Sequence, residues 1–146
     1  MLGVDELQAI LVEAFPGNEV PRVEEASTES VLLCLPATER HGRPGGTLSG
    51  PAMMMLADTA AWLAIMTRVG PVLLAVTTSL HIDFLRKPAL SDLMARTRLL
   101  KLGRKLAVVD VELFSRGTTD PVAKAQVTYS LPSSTPPADE SSSITP

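Results

Sequence analysis

A chain of 146 residues has the length of a single domain and can bury a core of its own. Hydrophobic residues make up 45% of it but aromatic residues only 3%, so aliphatic side chains and methionine must fill that core. The formal net charge of -3 argues against a nucleic-acid-binding protein, because such binding requires a basic surface.

Neither the cysteine content nor the apolar segments indicate an exported or membrane protein. Cys34 is the only cysteine, so no intrachain disulfide can form, and we expect a reducing cytoplasm. Acidic residues interrupt the first apolar residues and no basic segment precedes them, unlike in a signal peptide. The most apolar stretch, residues 51–66, is shorter than the roughly 20 residues of a membrane span and carries Asp58. We therefore expect no contact with a membrane.

The first elements in chain order are a helix and two short strands. Apolar residues recur at helical spacing over residues 4–15, and Pro16 and Gly17 end that segment. Residues 20–25 and 30–35 read as strands, and Pro36 closes the second. Residues 40–46 are rich in glycine and basic residues and predict a loop.

A second helix is predicted over residues 52–69. Ser49 is a good N-cap, Pro51 is tolerated in a first turn, and Gly70 with Pro71 ends the helix. Apolar side chains lie almost all round it, so other elements must cover most of its surface.

The remaining sequence is typical of strands. Residues 72–84, 90–102, 106–115 and 122–131 are rich in valine, leucine and threonine, and short turns separate them. Strands with short connections pair antiparallel, and one sheet curling around the apolar helix would cover it. The predicted fold class is α+β, with one domain over residues 1–131. Residues 132–146 are mostly proline, serine, threonine and acidic residues, and they predict a disordered tail.

Two motifs resemble those of a known superfamily. Residues 46–60 read Gly-Thr-Leu-Ser-Gly-Pro-Ala-Met-Met-Met-Leu-Ala-Asp-Thr-Ala, and residues 80–88 read Leu-His-Ile-Asp-Phe-Leu-Arg-Lys-Pro. They resemble the central-helix motif and the following strand of hotdog-fold proteins, particularly the PaaI-like acyl-CoA thioesterases. The order of elements matches that family from about residue 4 to residue 131.

The resemblance implies an antiparallel sheet wrapped around one long central helix. It also implies homodimers that pair sheets edge to edge, often paired again into tetramers, and hydrolysis of an acyl-CoA thioester without a metal or other cofactor. By position, the catalytic acid of the family falls on Asp58. The residue whose backbone N–H polarises the thioester carbonyl falls on Gly50, and a hydroxyl that positions water falls on Thr77 or Thr78.

Elementary geometry adds a constraint to these roles. The first turn of a helix has unpaired N–H groups, so Gly50 can bind a developing oxyanion. Asp58 lies eight residues further on, about 12 Å along the axis at about 1.5 Å per residue. One helix cannot bring both groups to one carbonyl, but two antiparallel helices can. The spacing predicts a site shared between two subunits, in which Asp58 is a general base or a nucleophile, with the base favoured.

Several other residues are candidates for substrate binding. Arg86 and Arg104 lie near strand ends, where they can contact CoA phosphates or can be solvated charges that protect the sheet edge. Met54 can line an acyl pocket or belong to the core. Ser49 and Thr78 lie beside the two catalytic positions and are expected to contact substrate.

The chain also departs from the family pattern. Ser49 stands where the family has histidine, Pro51 replaces a second glycine, and equal spacing puts Arg43 where an asparagine is usual. These departures motivate an alternative function, a weakly active or non-catalytic module that binds acyl-CoA or another acyl ligand. A hotdog dehydratase or hydratase is a third possibility, but neither His41 nor His81 has the placement that it requires.

Overall fold

A computed structural model of the chain describes residues 2–17, 19–36, 42–43 and 47–132. The elements, in chain order, are α1 (Val4–Ala14), β1 (Arg22–Ala26), β2 (Val31–Leu35), β3 (Gly42–Arg43), β4 (Thr47–Leu48), α2 (Gly50–Val69), β5 (Val76–Phe84), β6 (Leu93–Leu102), β7 (Leu106–Ser115) and β8 (Pro121–Ser130).

Six of the strands form one sheet in the order β1-β2-β6-β7-β8-β5, and every neighbouring pair is antiparallel. α2 packs against β2, β5, β6, β7 and β8, while α1 packs against β1. The predicted α+β arrangement of a sheet around one long helix is confirmed. The sheet has two edges, β1 and β5, and β5 is the long one.

The ends of α2 follow from its sequence. The Ser49 hydroxyl accepts a hydrogen bond from the Ala52 N–H at 3.2 Å, and Pro51 occupies the first turn. Gly70 ends the helix at φ +86°, a left-handed value that favours glycine. The predicted cap and end are confirmed, and the helix begins two residues earlier than predicted.

One stripe of α2 is left uncovered by the sheet. Pro51, Met54 and Met55 are exposed and Asp58 is half-buried, whereas the other faces are mostly buried. Residues at this spacing lie along one side of a helix. By length and composition α2 could span a membrane, but most of the helix is buried inside the protein, as in a core helix.

Three local predictions differ from the structure. Residues 72–75 are a turn closed by the Ala75 N–H and the Val72 carbonyl, because Gly70 and Pro71 have just ended the helix and the chain must reverse. Residues 90–92 form a second turn before β6. The two-residue strands β3 and β4 lie in or beside the predicted loop. The predicted disordered tail falls, from residue 133 on, outside the described residues.

Candidate active site

The Asp58 carboxylate lies on the uncovered stripe of α2, where the helix passes β5 and β8. Two hydroxyl groups donate to its Oδ1 oxygen: the Thr77 hydroxyl at 2.7 Å and the Tyr129 hydroxyl at 2.9 Å. A buried or half-buried carboxylate needs such donors in place of water. The structure therefore brings Asp58 and Thr77 into contact.

The structure also distinguishes the two neighbouring threonines. The register of β5 against β8 shifts between Thr77 and Ser79, so Thr78 is the extra residue of a β-bulge. Its hydroxyl donates to the Thr128 carbonyl at 3.3 Å rather than to Asp58. Bulges re-aim side chains, and this one leaves Thr77 facing the helix. Of the two alternatives, Thr77 is the residue in contact with Asp58.

Tyr129 is a site residue that the sequence did not indicate. It lies opposite Thr77 in the β5–β8 register, is only 5% exposed, and also donates to the backbone carbonyl of Asp58 at 3.0 Å. Burial, together with the nearby Asp58 charge, raises the pKa of Tyr129 well above its usual value. Tyr129 is thus a protonated donor at neutral pH. A usable signal was its position in β8, two residues after the buried Val127 and so on the same face of the sheet.

An apolar cavity of about 370 Å³ opens beside this group. Phe15 and Trp62 form part of its wall, with ring centroids 6.4 Å apart and planes at 77°. The Trp62 ring nitrogen donates to the Val72 carbonyl at 3.2 Å, which ties the 72–75 turn to α2. The cavity is lined by Phe15, Trp62, Leu73, Val76, Thr77 and Tyr129, among others. It can take an apolar group next to a carboxylate.

A second cavity, of about 460 Å³, lies beside the first turn of α2. Gly50, Met53 and Phe84 line it, together with the cationic Arg86 and Lys87. Gly50 is the first residue of α2, so its N–H has no intrahelical acceptor. A Cβ added to Gly50 would lie 3.5 Å from the Phe84 ring, an ordinary contact. The first turn thus offers an N–H group and two positive charges.

The other predicted binding residues are placed as follows. Ser49 is the N-cap of α2, and Arg86 donates to the Pro121 carbonyl at the rim of the second cavity. Met54 lies 41% exposed on the stripe, and Met53 rather than Met54 lines that cavity. Arg104 is exposed in the turn between β6 and β7 and lines neither cavity.

The protomer does not bring Gly50 and Asp58 to one point. They lie about 12 Å apart along α2: Gly50 lines the second cavity, whereas Asp58 is held by Thr77 and Tyr129, which line the first. A hydroxyl-held carboxylate beside an apolar cavity occupies one position, and an N–H group with two cations occupies the other. A carboxylate of this kind can act as a base, and an N–H group of this kind can bind an oxyanion.

Comparison with known families agrees with this chemistry. The model of the thioesterase superfamily matches residues 45–122, which is more than half of the chain. The chain therefore belongs to the thioesterase superfamily, and the sheet wrapped around α2 is the hotdog fold.

Individual relatives are similar over most of their length. A Thermoplasma acidophilum protein named "putative esterase" is 27% identical over 127 residues, 87% of this chain and 95% of that protein. The crystal structure of a "putative thioesterase" from Silicibacter sp. TM1040 has a TM-score of 0.82 at 43% identity, covering 90% of this chain and 93% of its own. A Streptococcus mutans protein crystallised with acetyl-CoA has a TM-score of 0.71 at 22% identity, covering 82% and 94%, and shows the fold alone. The family and the first two of these relatives support thioester hydrolysis as the general activity.

Proposed function

We propose that this chain is a cytoplasmic, PaaI-like acyl-CoA thioesterase that uses Asp58 to hydrolyse the thioester. The observation that carries the proposal is the Asp58 carboxylate itself, held by the Thr77 and Tyr129 hydroxyls at an apolar cavity. A carboxylate at such a place can act on a carbonyl whose acyl group fills the cavity. The acyl group is therefore apolar, and Phe15 and Trp62 form part of the wall around it.

The CoA half of the substrate is proposed to bind at the first turn of α2. Arg86 and Lys87 line the cavity there and supply the positive charge that phosphates need. The acetyl-CoA bound to the Streptococcus mutans protein shows that this fold accommodates a CoA thioester, and we extend that ligand class to this chain. Arg104 stays a candidate for phosphate binding from outside the two cavities.

The reaction follows from the charges of these groups. Asp58 accepts a proton from a water molecule that the Thr77 hydroxyl helps to position, and the resulting hydroxide attacks the thioester carbonyl. The Gly50 N–H stabilises the oxyanion of the tetrahedral intermediate. The C–S bond then breaks, CoA leaves as the thiolate, and the proton held by Asp58 passes to the products. In the less favoured route Asp58 attacks the carbonyl directly, the C–S bond breaks with release of the CoA thiolate, and water hydrolyses the resulting anhydride.

The site is proposed to be shared between two copies of the chain. The stripe of α2 exposes Met54 and Met55, and among the described residues β5 pairs with β8 alone, which leaves its other edge open there. If two α2 helices pack antiparallel along this stripe, Asp58 of one protomer faces Gly50 of the other. A homodimer of this kind joins the two cavities into one channel, and two dimers can form a tetramer.

The second candidate function is an acyl-ligand-binding module. The Ser49 hydroxyl, which stands where the related thioesterases have histidine, is engaged as the N-cap of α2. A protein of this kind would bind acyl-CoA in the same cavities without turning it over. Binding affinity does not distinguish the two candidates, but turnover does.

The decisive experiment is release of free thiol from short, medium, long and aromatic acyl-CoAs by the native protein and by Asp58→Asn. We expect turnover by the native protein and a loss of about 100-fold or more in kcat for the variant, the size of a general-base contribution. Asp120→Asn, which changes an exposed aspartate in the turn before β8, is the matched control and should remain active. If all three proteins bind acyl-CoA but release thiol at the same negligible rate, the chain is the binding module and not an enzyme.

A further inference from the structure

The contacts of Tyr129 hold the Asp58 carboxylate in one orientation. The phenol oxygen lies 3.0 Å from the Asp58 backbone carbonyl and 2.9 Å from the side-chain Oδ1, and its one proton is shared between these two acceptors. The backbone contact holds the hydroxyl in place relative to α2, so the position from which it contacts the carboxylate is fixed. Thr77 reaches the same Oδ1 at 2.7 Å from the neighbouring strand. Rotation of the carboxylate would break both side-chain contacts.

Both hydroxyls bind one oxygen and leave the other without a donor. In the part of the chain that the structure describes, Oδ2 of Asp58 accepts no hydrogen bond. It is the oxygen that can take a proton from water or attack a carbonyl. A carboxylate free to rotate would present either oxygen in many directions, and misplacement by about 1 Å can cost about 100-fold in rate.

We propose that Tyr129 is a positioning residue, which holds Oδ1 of Asp58 so that Oδ2 is the oxygen that acts on the water or the thioester. The inference rests on the proposed thioesterase function and adds to it a residue that acts through Asp58. The raised pKa of Tyr129 supports this role, because the hydroxyl remains a donor throughout the working pH range.

The variant that tests the role is Tyr129→Phe, which keeps the buried ring and removes only the hydroxyl. We expect kcat to fall about tenfold or more, as for the loss of a hydrogen bond to a charged group, with KM nearly unchanged. The split between kcat and KM is the informative readout. A merely structural tyrosine would lower thermal stability without lowering the kcat of the folded protein.

Two results would overturn the inference. If Asp58→Asn is inactive while Tyr129→Phe keeps the native kcat, Tyr129 does not position Asp58, and the proposed function still stands. If Asp58→Asn retains native turnover, the proposed function fails first and the role of Tyr129 fails with it. The two failures are therefore distinguishable.

A second measurement does not depend on the folding of Tyr129→Phe. Tyr129 is the only tyrosine of the chain, so tyrosine labelled with ¹³C at Cζ gives one NMR signal. We expect the chemical shift of that signal to differ between the native protein and Asp58→Asn, because the variant replaces the contacting carboxylate with an amide. The same chemical shift in both proteins would show that the contact is absent in solution.

Discussion

The first turn of α2 and the middle of the same helix present opposite charges. The first turn offers the Gly50 N–H, with Arg86 and Lys87 in the adjoining cavity. The middle offers a carboxylate, two hydroxyls and an apolar cavity that Trp62 helps to line. One region suits an oxyanion and a phosphorylated carrier, and the other suits a base and an apolar acyl group.

Neither region alone has both a base and an oxyanion-binding group. Hydrolysis of a thioester needs a base and an oxyanion site within about 3 Å of one carbonyl, and α2 separates them by about 12 Å. In the proposed homodimer, a twofold axis between two α2 helices would remove that separation, because it would place the middle of one helix against the first turn of the other. The exposed stripe through Met54 and Met55 marks the face on which this can happen.

The largest expected effect comes from removing the N–H group of the first turn. Gly50→Pro deletes that group, and Ser49 already has φ -79° and ψ 152°, the extended conformation that precedes proline. We expect kcat to fall about 100-fold or more, the usual loss for one oxyanion donor. Gly50→Ala is the matched control: it keeps the N–H, its Cβ makes only an ordinary contact with Phe84, and it should retain most activity.

Mixing two inactive variants tests whether the two regions belong to different subunits. If Gly50→Pro and Asp58→Asn protomers are refolded together, half of the dimers are mixed, and each mixed dimer has one site with both native groups. We expect roughly a quarter of the native activity to return by statistical mixing across the twofold axis. Failure to recover any activity, from protomers shown to mix, would place each site within a single subunit.

The middle of α2 can be probed through its two adjacent threonines. Thr77→Val removes one of the two donors to Asp58 and should lower kcat about tenfold, the usual cost of a hydrogen bond to a charged group. Thr78→Val is matched in size and position but removes a bond to the Thr128 carbonyl, so it should change kcat far less. Thiol release measures both variants. If they lose kcat equally, the loss comes from disturbing strand β5 and not from removing the contact with Asp58.

Much of the fold was predictable because its signals are local. Ser49, Pro51 and Gly70 set the ends of α2 by backbone conformation and capping alone. The alternation of buried and partly exposed residues along β7 is likewise visible in sequence. Asp58 stood out because an acid inside an apolar helix is unusual.

What could not be predicted depends on register and on tertiary contacts. The choice between Thr77 and Thr78 rests on the bulge in β5, which exists only where that strand pairs with β8. Tyr129 reaches Asp58 across 71 residues of sequence through the same pairing. Residues 72–75 are apolar enough for a strand, but the contact between Trp62 and the Val72 carbonyl helps to hold them as a turn.

The smallest expected effect is on the carrier side of the first-turn region. Arg86 is exposed, so its contribution to binding a phosphate is about that of a surface ion pair, roughly 0.2–1 kcal/mol. Arg86→Gln should therefore raise KM for acyl-CoA about two- to fivefold with kcat unchanged, and added salt should shrink the difference from the native protein. Arg104→Gln, in a turn away from both cavities, is the comparison. If Arg104→Gln raises KM and Arg86→Gln does not, CoA lies over the β6–β7 turn, and the first-turn cavity is not its binding site.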